Sequence, residues 1–405
     1  MRIRFLGIML AYVVVAIGIY QYWPQPEGVQ NAVTSPEQPA APTVNVTETP
    51  SPEPEQQPAT ATPTPVEPAQ PVQTPENTAV AVTQETPTTT APVQTQAAPV
   101  EPTPAAPSNA DRLATADRMQ VLRIWTLVEE CRLNKCDSLD FSDFTLSWLP
   151  DEIRDLRRVN HITSGPKMAD INALDGLSNI RHLVMKDGVV NDLRAIEGLR
   201  GLKSIDLQGS RVTNITPVKD LAALEYLNIA DTKVFDLSPA RELFSLTSLD
   251  ASNTRVSELE PLKEMYQLQE LNLSNSNILD LSYLARLSSL ISVDVSNTNL
   301  RILPDFSENV DLQMLNIKDT DISDLTPLNR MENLETLNIS GTNVSSLKPL
   351  ANLKKLKNLD MRDTRVTDLS FLENLTGLEE LLLSNVSRVD TNMINQLESR
   401  GVQVK

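Results

Sequence analysis

The sequence predicts an α/β solenoid, with one concave parallel β-sheet of short strands and short helices or 3₁₀ segments on the convex side. Three observations predict it. A leucine-type position recurs as Ile180, Leu202, Leu224, Leu246, Leu268, Leu290, Leu312, Leu334, Leu356 and Leu378, each step being 22 residues. Within each period two apolar residues alternate, as Leu227 and Ile229 do, which is the two-residue rhythm of a strand with one buried face. Pro217, Pro239, Pro261, Pro327 and Pro349 share one phase of the period, where a proline opens a return segment. One such unit cannot bury its leucines alone, so the units must stack.

The solenoid does not begin at once. Residues 5–23 form a run without a charged side chain behind Arg2 and Arg4, and the run closes on Tyr20, Tyr22 and Trp23. As a helix at 1.5 Å per residue it spans roughly 28 Å, the thickness of a bilayer core, and its aromatic end suits the interface. Residues 1–23 are therefore read as a transmembrane anchor or signal segment, with the rest of the chain across the membrane from the two arginines. Cleavage after Ala16-Ile17-Gly18 is the alternative, and it would release the chain. Residues 24–108 hold 20 of the 28 prolines, nine glutamates and no Lys or Arg. With so little apolar surface to bury, the segment is expected to be a disordered linker.

Residues 109–138 are read as an N-terminal helical cap. Its helix over 113–133 carries Leu122, Trp125 and Val128 at helical spacing, and Cys131 and Cys136 near its end are expected to form a disulfide in an oxidising compartment. The repeat domain is read as residues 139–390, starting with two imperfect repeats. Residues 391–405 are a C-terminal cap with a helix over 391–400, ended by Gly401, and Val402 and Val404 as a last edge strand. In each repeat the return segment is expected to open on a hydroxyl cap followed by proline, as in Ser238-Pro239.

The ten in-phase units and the phrase Asp324-Leu325-Thr326-Pro327-Leu328 resemble the leucine-rich-repeat family, and within it the bacterial internalin-type subclass with 22-residue repeats. The resemblance implies the concave sheet and convex short helices, and it implies partners held on the concave face. The family's ladder asparagine is here Ser210, Thr232, Thr254, Ser276, Thr298, Thr320, Thr342 and Thr364. A hydroxyl at that place can still bond neighbouring backbone. Only some twenty residues follow the last repeat here, so no immunoglobulin-like domain is expected after it.

Residues 109–405 carry 33 Lys+Arg and 44 Asp+Glu, a balance near −11, and this argues against nucleic acid as the main ligand. Two histidines and two cysteines are too few for most metal or Cys/His catalytic sites. No Gly-rich phosphate loop and no nucleophile elbow occurs. The reading is a binding protein rather than an enzyme, with no catalytic residue, cofactor or metal.

Candidate partner residues lie on strand positions pointing away from the leucines. Asp206, Asn228, Asp250, Asn272, Asp294, Asn316, Asn338 and Asp360 form one column, in which alternating amides separate carboxylates that would repel side by side. That column is either a structural polar ladder or a recognition stripe. A second column runs from His182 through Tyr226 and Met314 to Glu380, and Arg211, Lys233 and Arg255 make a basic row at the strand exits. Phe235 and Leu279 are apolar where most repeats carry Ser or Thr. Aromatic and arginine side chains are the usual anchors of an interface. The expected function is a membrane-tethered module of a bacterial inner membrane that faces the periplasm and captures a protein or peptide. A secreted adhesin or effector and a structural envelope protein are the alternatives.

Overall fold

The computed structural model describes residues 118–385 and 390–405. The predicted anchor, the linker and the first residues of the N-terminal cap lie outside the described residues. Among the described residues no helix is long and apolar enough to cross a membrane.

Thirteen short strands pair in chain order in a single parallel sheet. They are β1 (Ser138–Asp140), β2 (His161–Thr163), β3 (His182–Val184), β4 (Ser204–Asp206), β5 (Tyr226–Asn228), β6 (Ser248–Asp250), β7 (Glu270–Asn272), β8 (Ser292–Asp294), β9 (Met314–Asn316), β10 (Thr336–Asn338), β11 (Asn358–Asp360), β12 (Glu380–Leu382) and β13 (Gln403–Val404). From β3 to β12 equivalent residues pair at 22-residue separation, so Ile205, Leu227, Leu249 and Leu271 face one another across successive strands. At the ends the spacing changes: Ser138 pairs with His161, His161 with His182, and Glu380 with Gln403. These are the places where capping units join the regular array.

The strands begin two residues after the recurrent leucine rather than at it. Leu224 closes the return segment, its N–H donating to Leu221 O at 2.8 Å, before Tyr226 opens β5. All ten recurrent residues are buried, and so are the alternating pairs such as Leu227 and Ile229. The return segments are short 3₁₀ turns such as Ser238–Ala240 and Thr326–Leu328. Their cap differs from the expected hydroxyl. The Asp236 carboxylate accepts from Ser238 N–H at 2.8 Å, and Asp280, Asp324 and Asp368 do the same for Ser282, Thr326 and Ser370. The carboxylate sits two residues ahead of the hydroxyl and reaches the first free N–H of the turn, the arrangement of an Asx turn. Hydrogen bonds from the side-chain hydroxyls of Ser238, Thr326 and Ser370, followed by those from the same residues' N–H groups, hold the carboxyls of Asp236, Asp324 and Asp368 below the usual carboxylate range.

Two further columns close each turn after its strand. Thr232, Thr254, Ser276, Thr298, Thr320, Thr342 and Thr364 donate their hydroxyls to the carbonyl three residues back, at 2.5–2.7 Å. Ser210, at the same position, has a buried Oγ with no hydrogen-bond partner. The position one residue ahead of this column is left-handed in each repeat from β3 to β12. Asp187, Asp231, Asn253, Asn275, Asn297, Asp319, Asp363 and Asn385 have φ between 51° and 58°, and Gly209 and Gly341 have φ 67° and 68°. Asp, Asn and Gly are the residues that tolerate this conformation.

One repeat departs from the pattern. Between β8 and β9 no 3₁₀ turn forms; Phe306 fills the core, and buried Asn309 donates to Leu284 O and Leu287 O at 3.1 and 2.8 Å.

The N-terminal cap helix, α1 (Arg118–Asn134), packs on the first repeats through Val121, Ile124, Val128 and Cys131. Of Leu122, Trp125 and Val128, which lie at helical spacing, only Val128 is buried, while Leu122 and Trp125 face outward. Apolar residues at helical spacing occur on two sides of α1, and the buried side is the one that continues into Cys131. Cys131 and Cys136 have Cα atoms 4.8 Å apart and their sulfurs are in bonding contact. Downstream, α2 (Thr391–Ser399) is capped by Asp390, buries Met393 and Leu397, and ends at Gly401 with φ 90° before β13 completes the sheet.

Candidate functional site

The candidate surface is the face of the sheet turned away from the leucine core. In each strand the first and third residues reach it, because successive side chains alternate.

The third-residue column is a built ladder. In Asp206, Asn228, Asp250, Asn272, Asp294, Asn316, Asn338 and Asp360, one side-chain oxygen accepts the N–H two residues on, at 2.9–3.2 Å. This requirement explains why every repeat from β4 to β11 carries Asp or Asn there. Two cross-strand bonds join them, Asn272 Nδ2 to Asp250 Oδ2 at 3.2 Å and Asn316 Nδ2 to Asp294 Oδ2 at 2.8 Å. At the ends, cations take over from amides: Lys186 pairs with Asp206 at 2.9 Å and Arg362 with Asp360 at 2.6 Å. Asp206 and Asn228 are buried, and Asp250 and Asn272 are half-buried, so the four present little free polar surface.

Burial pushes the carboxyls of Asp206, Asp250 and Asp294 above the usual range, against the hydrogen bonds and cations that pull them down. A carboxyl whose folded pKa is raised contributes stability below its unfolded pKa, about 3.9, and loses it as pH rises through the folded value. Asp250→Asn keeps an acceptor for Ser252 N–H and removes the charge. Asn272 Nδ2 loses its acceptor, a cost that does not vary with pH, so the melting temperature relative to the parent chain is expected to rise as pH rises through the raised carboxyl range. A difference that stays constant from pH 3 to pH 8 in thermal melts would refute this account.

The first-residue column holds the varied side chains. Tyr226 is half-buried between Asp206 and Asp250, and burial followed by those charges pushes its phenol up, so it stays a neutral hydroxyl. Ser248 donates to Glu270 Oε2 at 3.1 Å, and Met314 is half-buried at β9. Cross-strand ion pairs flank this stretch: Lys203 with Glu225 and Glu335 with Lys357, both at 2.6 Å, and Glu380 with Lys405 at 2.7 Å. Sequence reasoning missed these, although each joins residues near one repeat apart. It also placed His182 in this column without its neighbour: His161 lies across β2 and β3, ring centroids 5.8 Å apart, and burial lowers the pKa of both imidazoles.

The basic row sits one turn later. Arg211, Lys233 and Arg255 are exposed, and their N–H groups bond Val190 O, Val212 O and Val234 O, so they stack in register on successive repeats. Phe235 is 63% and Leu279 66% exposed on the same edge. No group of three or more His, Cys, Asp or Glu among the described residues is placed to hold a metal ion.

Residues 332–374 match the family model described as leucine rich repeats, in two copies. Comparison with curated proteins finds no match. Solved structures of similar fold include an internalin, InlF, of Listeria monocytogenes, at 24% identity over 63% of this chain and 75% of that one, with a TM-score of 0.60. They include the plant peptide hormone receptor RGFR1 in complex with RGF2, at 19% identity over 61% and 47%, TM-score 0.50. A complex of TLR13 with ssRNA13 aligns at 18% identity over 65% and 45%, TM-score 0.51. The chain spans under half of the last two, and at these identities the likeness is one of fold.

Proposed function

We propose that this leucine-rich-repeat protein is a binding module that captures a protein or peptide on the open face of its sheet, held at a bacterial inner membrane by residues 5–23 with the repeat domain in the periplasm. The observation that carries the reading is the contrast on that face. The Asp/Asn column is spent on the backbone, whereas Tyr226, Met314 and the exposed row Arg211, Lys233 and Arg255 are left to meet something else. Tyrosine, methionine and arginine are enriched in interfaces, and a rigid parallel sheet presents them without an ordering cost. The RGFR1 structure, with RGF2 in its complex, supports reading such a solenoid as a capture surface. The acidic balance of residues 109–405 favours a protein partner over nucleic acid.

In membranes carrying the full chain, crosslinking-coupled pull-down should yield a partner that Tyr226→Ala combined with Lys233→Glu loses, with affinity down about ten- to a hundred-fold. Neither residue is in the leucine core, so the melting temperature should hold. If the double variant captures the partner normally and a return-side variant at Arg241 does not, the sheet face is the wrong surface. Recovery of a soluble chain beginning at Ile19 would replace tethering with secretion.

A further inference from the structure

Helix α1 is apolar on two opposite sides. The inner side is accounted for by the core. On the outer side Met119 is 67%, Leu122 56%, Trp125 41% and Leu133 69% exposed. Only eleven large apolar side chains are exposed among the described residues, and four of them lie on these seventeen helical positions. Such a concentration of Trp, Leu and Met in water marks an interaction surface.

The charges along the same face say what covers it. Arg118, the first described residue of the helix, makes no ion pair among the described residues; Glu129 stands three turns later, half-exposed and paired with Arg132 at 2.7 Å. Residues 118, 122, 125 and 129 share one face at helical spacing. A register that sets Arg118 against Glu129 of a second copy also sets Leu122 against that copy's Trp125, because both pairs are centred on the same point of the helix. A two-fold axis there makes each contact twice. Parallel packing would instead set arginine on arginine and glutamate on glutamate.

We propose that two copies of the chain associate through α1, the helices packing antiparallel with Leu122 and Trp125 between them and Arg118–Glu129 pairs at each end. One helix pair buries less than the roughly 1,600 Å² of a standard stable interface, so the association is of the weak, transient kind. This surface is separate from the sheet face and does not depend on what that face binds.

The test is sedimentation equilibrium of the full chain over a wide concentration range. Leu122→Glu should weaken association at least about ten-fold, and Arg118→Glu or Glu129→Arg about three- to ten-fold each. The double variant Arg118→Glu with Glu129→Arg should return to within about three-fold of the parent chain, a rescue that a non-specific apolar contact would not show. Unchanged melting temperatures establish that the exposed substitutions leave the fold intact. Under mild oxidation Leu122→Cys should crosslink two copies, while Leu133→Cys should not, because antiparallel packing separates its two copies by about 28 Å along the axis. A chain that stays monomeric, a dimer indifferent to Leu122→Glu, failure of the charge swap to rescue, or a crosslink through position 133 would each overturn the proposal.

Discussion

Leu271→Ala is expected to destabilise the repeat domain by about 2–5 kcal/mol. Leu271 is the middle residue of β7, 2% exposed, flanked in register by Leu249 and Val293. Removing its side chain takes apolar atoms out of contact and leaves a void, and the surroundings are poorly placed to fill it. Each neighbouring repeat is held in register by ladder bonds on both sides, so none can slide inward without breaking them. Urea denaturation followed by circular dichroism gives the magnitude, with Leu133→Ala on the outer side of α1 as the exposed reference, expected within about 0.5 kcal/mol of the parent chain. A loss at position 271 no larger than at 133 would mean that the core is far more plastic than close packing allows.

The second large effect concerns the turn after each strand. Asn275 has φ 55°, a conformation that a β-branched residue adopts only under strain. Asn275→Val should therefore cost about 1–3 kcal/mol, while Asn275→Gly should be close to neutral. Equal losses in the two variants would locate the effect in the asparagine side chain rather than in the backbone. The two glycines of this column have their own logic. A Cβ on Gly209 would meet Asp187 Oδ1, and one on Gly341 Asp319 Oδ1, both ends of side chains that can turn aside, so the positive φ is what favours glycine at these two places.

The period, the strand alternation and the phase of the prolines were enough to read the architecture, because stacking allows only one way to bury leucines that recur every 22 residues. The left-handed column was equally visible. Asp187, Gly209, Asp231, Asn253 and Asn275 follow the same 22-residue interval, and their shared tolerance of positive φ is the signal. Asp and Asn are also ordinary surface polar residues, so the column does not stand out from composition alone. The sides of α1 were harder. Leu122, Trp125 and Val128 have helical spacing, but so do Val121, Ile124, Val128 and Cys131, and periodicity alone does not say which stripe meets the core. For the candidate site, the Asp/Asn column was legible as alternation, yet its bonds to the N–H two residues on depend on turn geometry that a linear pattern does not display. Tyr226, Met314 and the basic row stood out by their departure from the repeat, and the structure leaves them on accessible surface or half-buried beside it.

The uniform spacing between β3 and β12 makes the length of the sheet a quantised variable. Excising or copying 22 consecutive residues in that stretch, outside the divergent unit between β8 and β9, would return each flanking unit to a neighbour of similar shape, with the ladder bonds re-formed. Reach would change by one strand, about 4.8 Å, at a time. A lineage carrying such a gene could fit its ruler to a longer or shorter counterpart by unequal recombination alone. The end units with their irregular spacing would travel along unchanged.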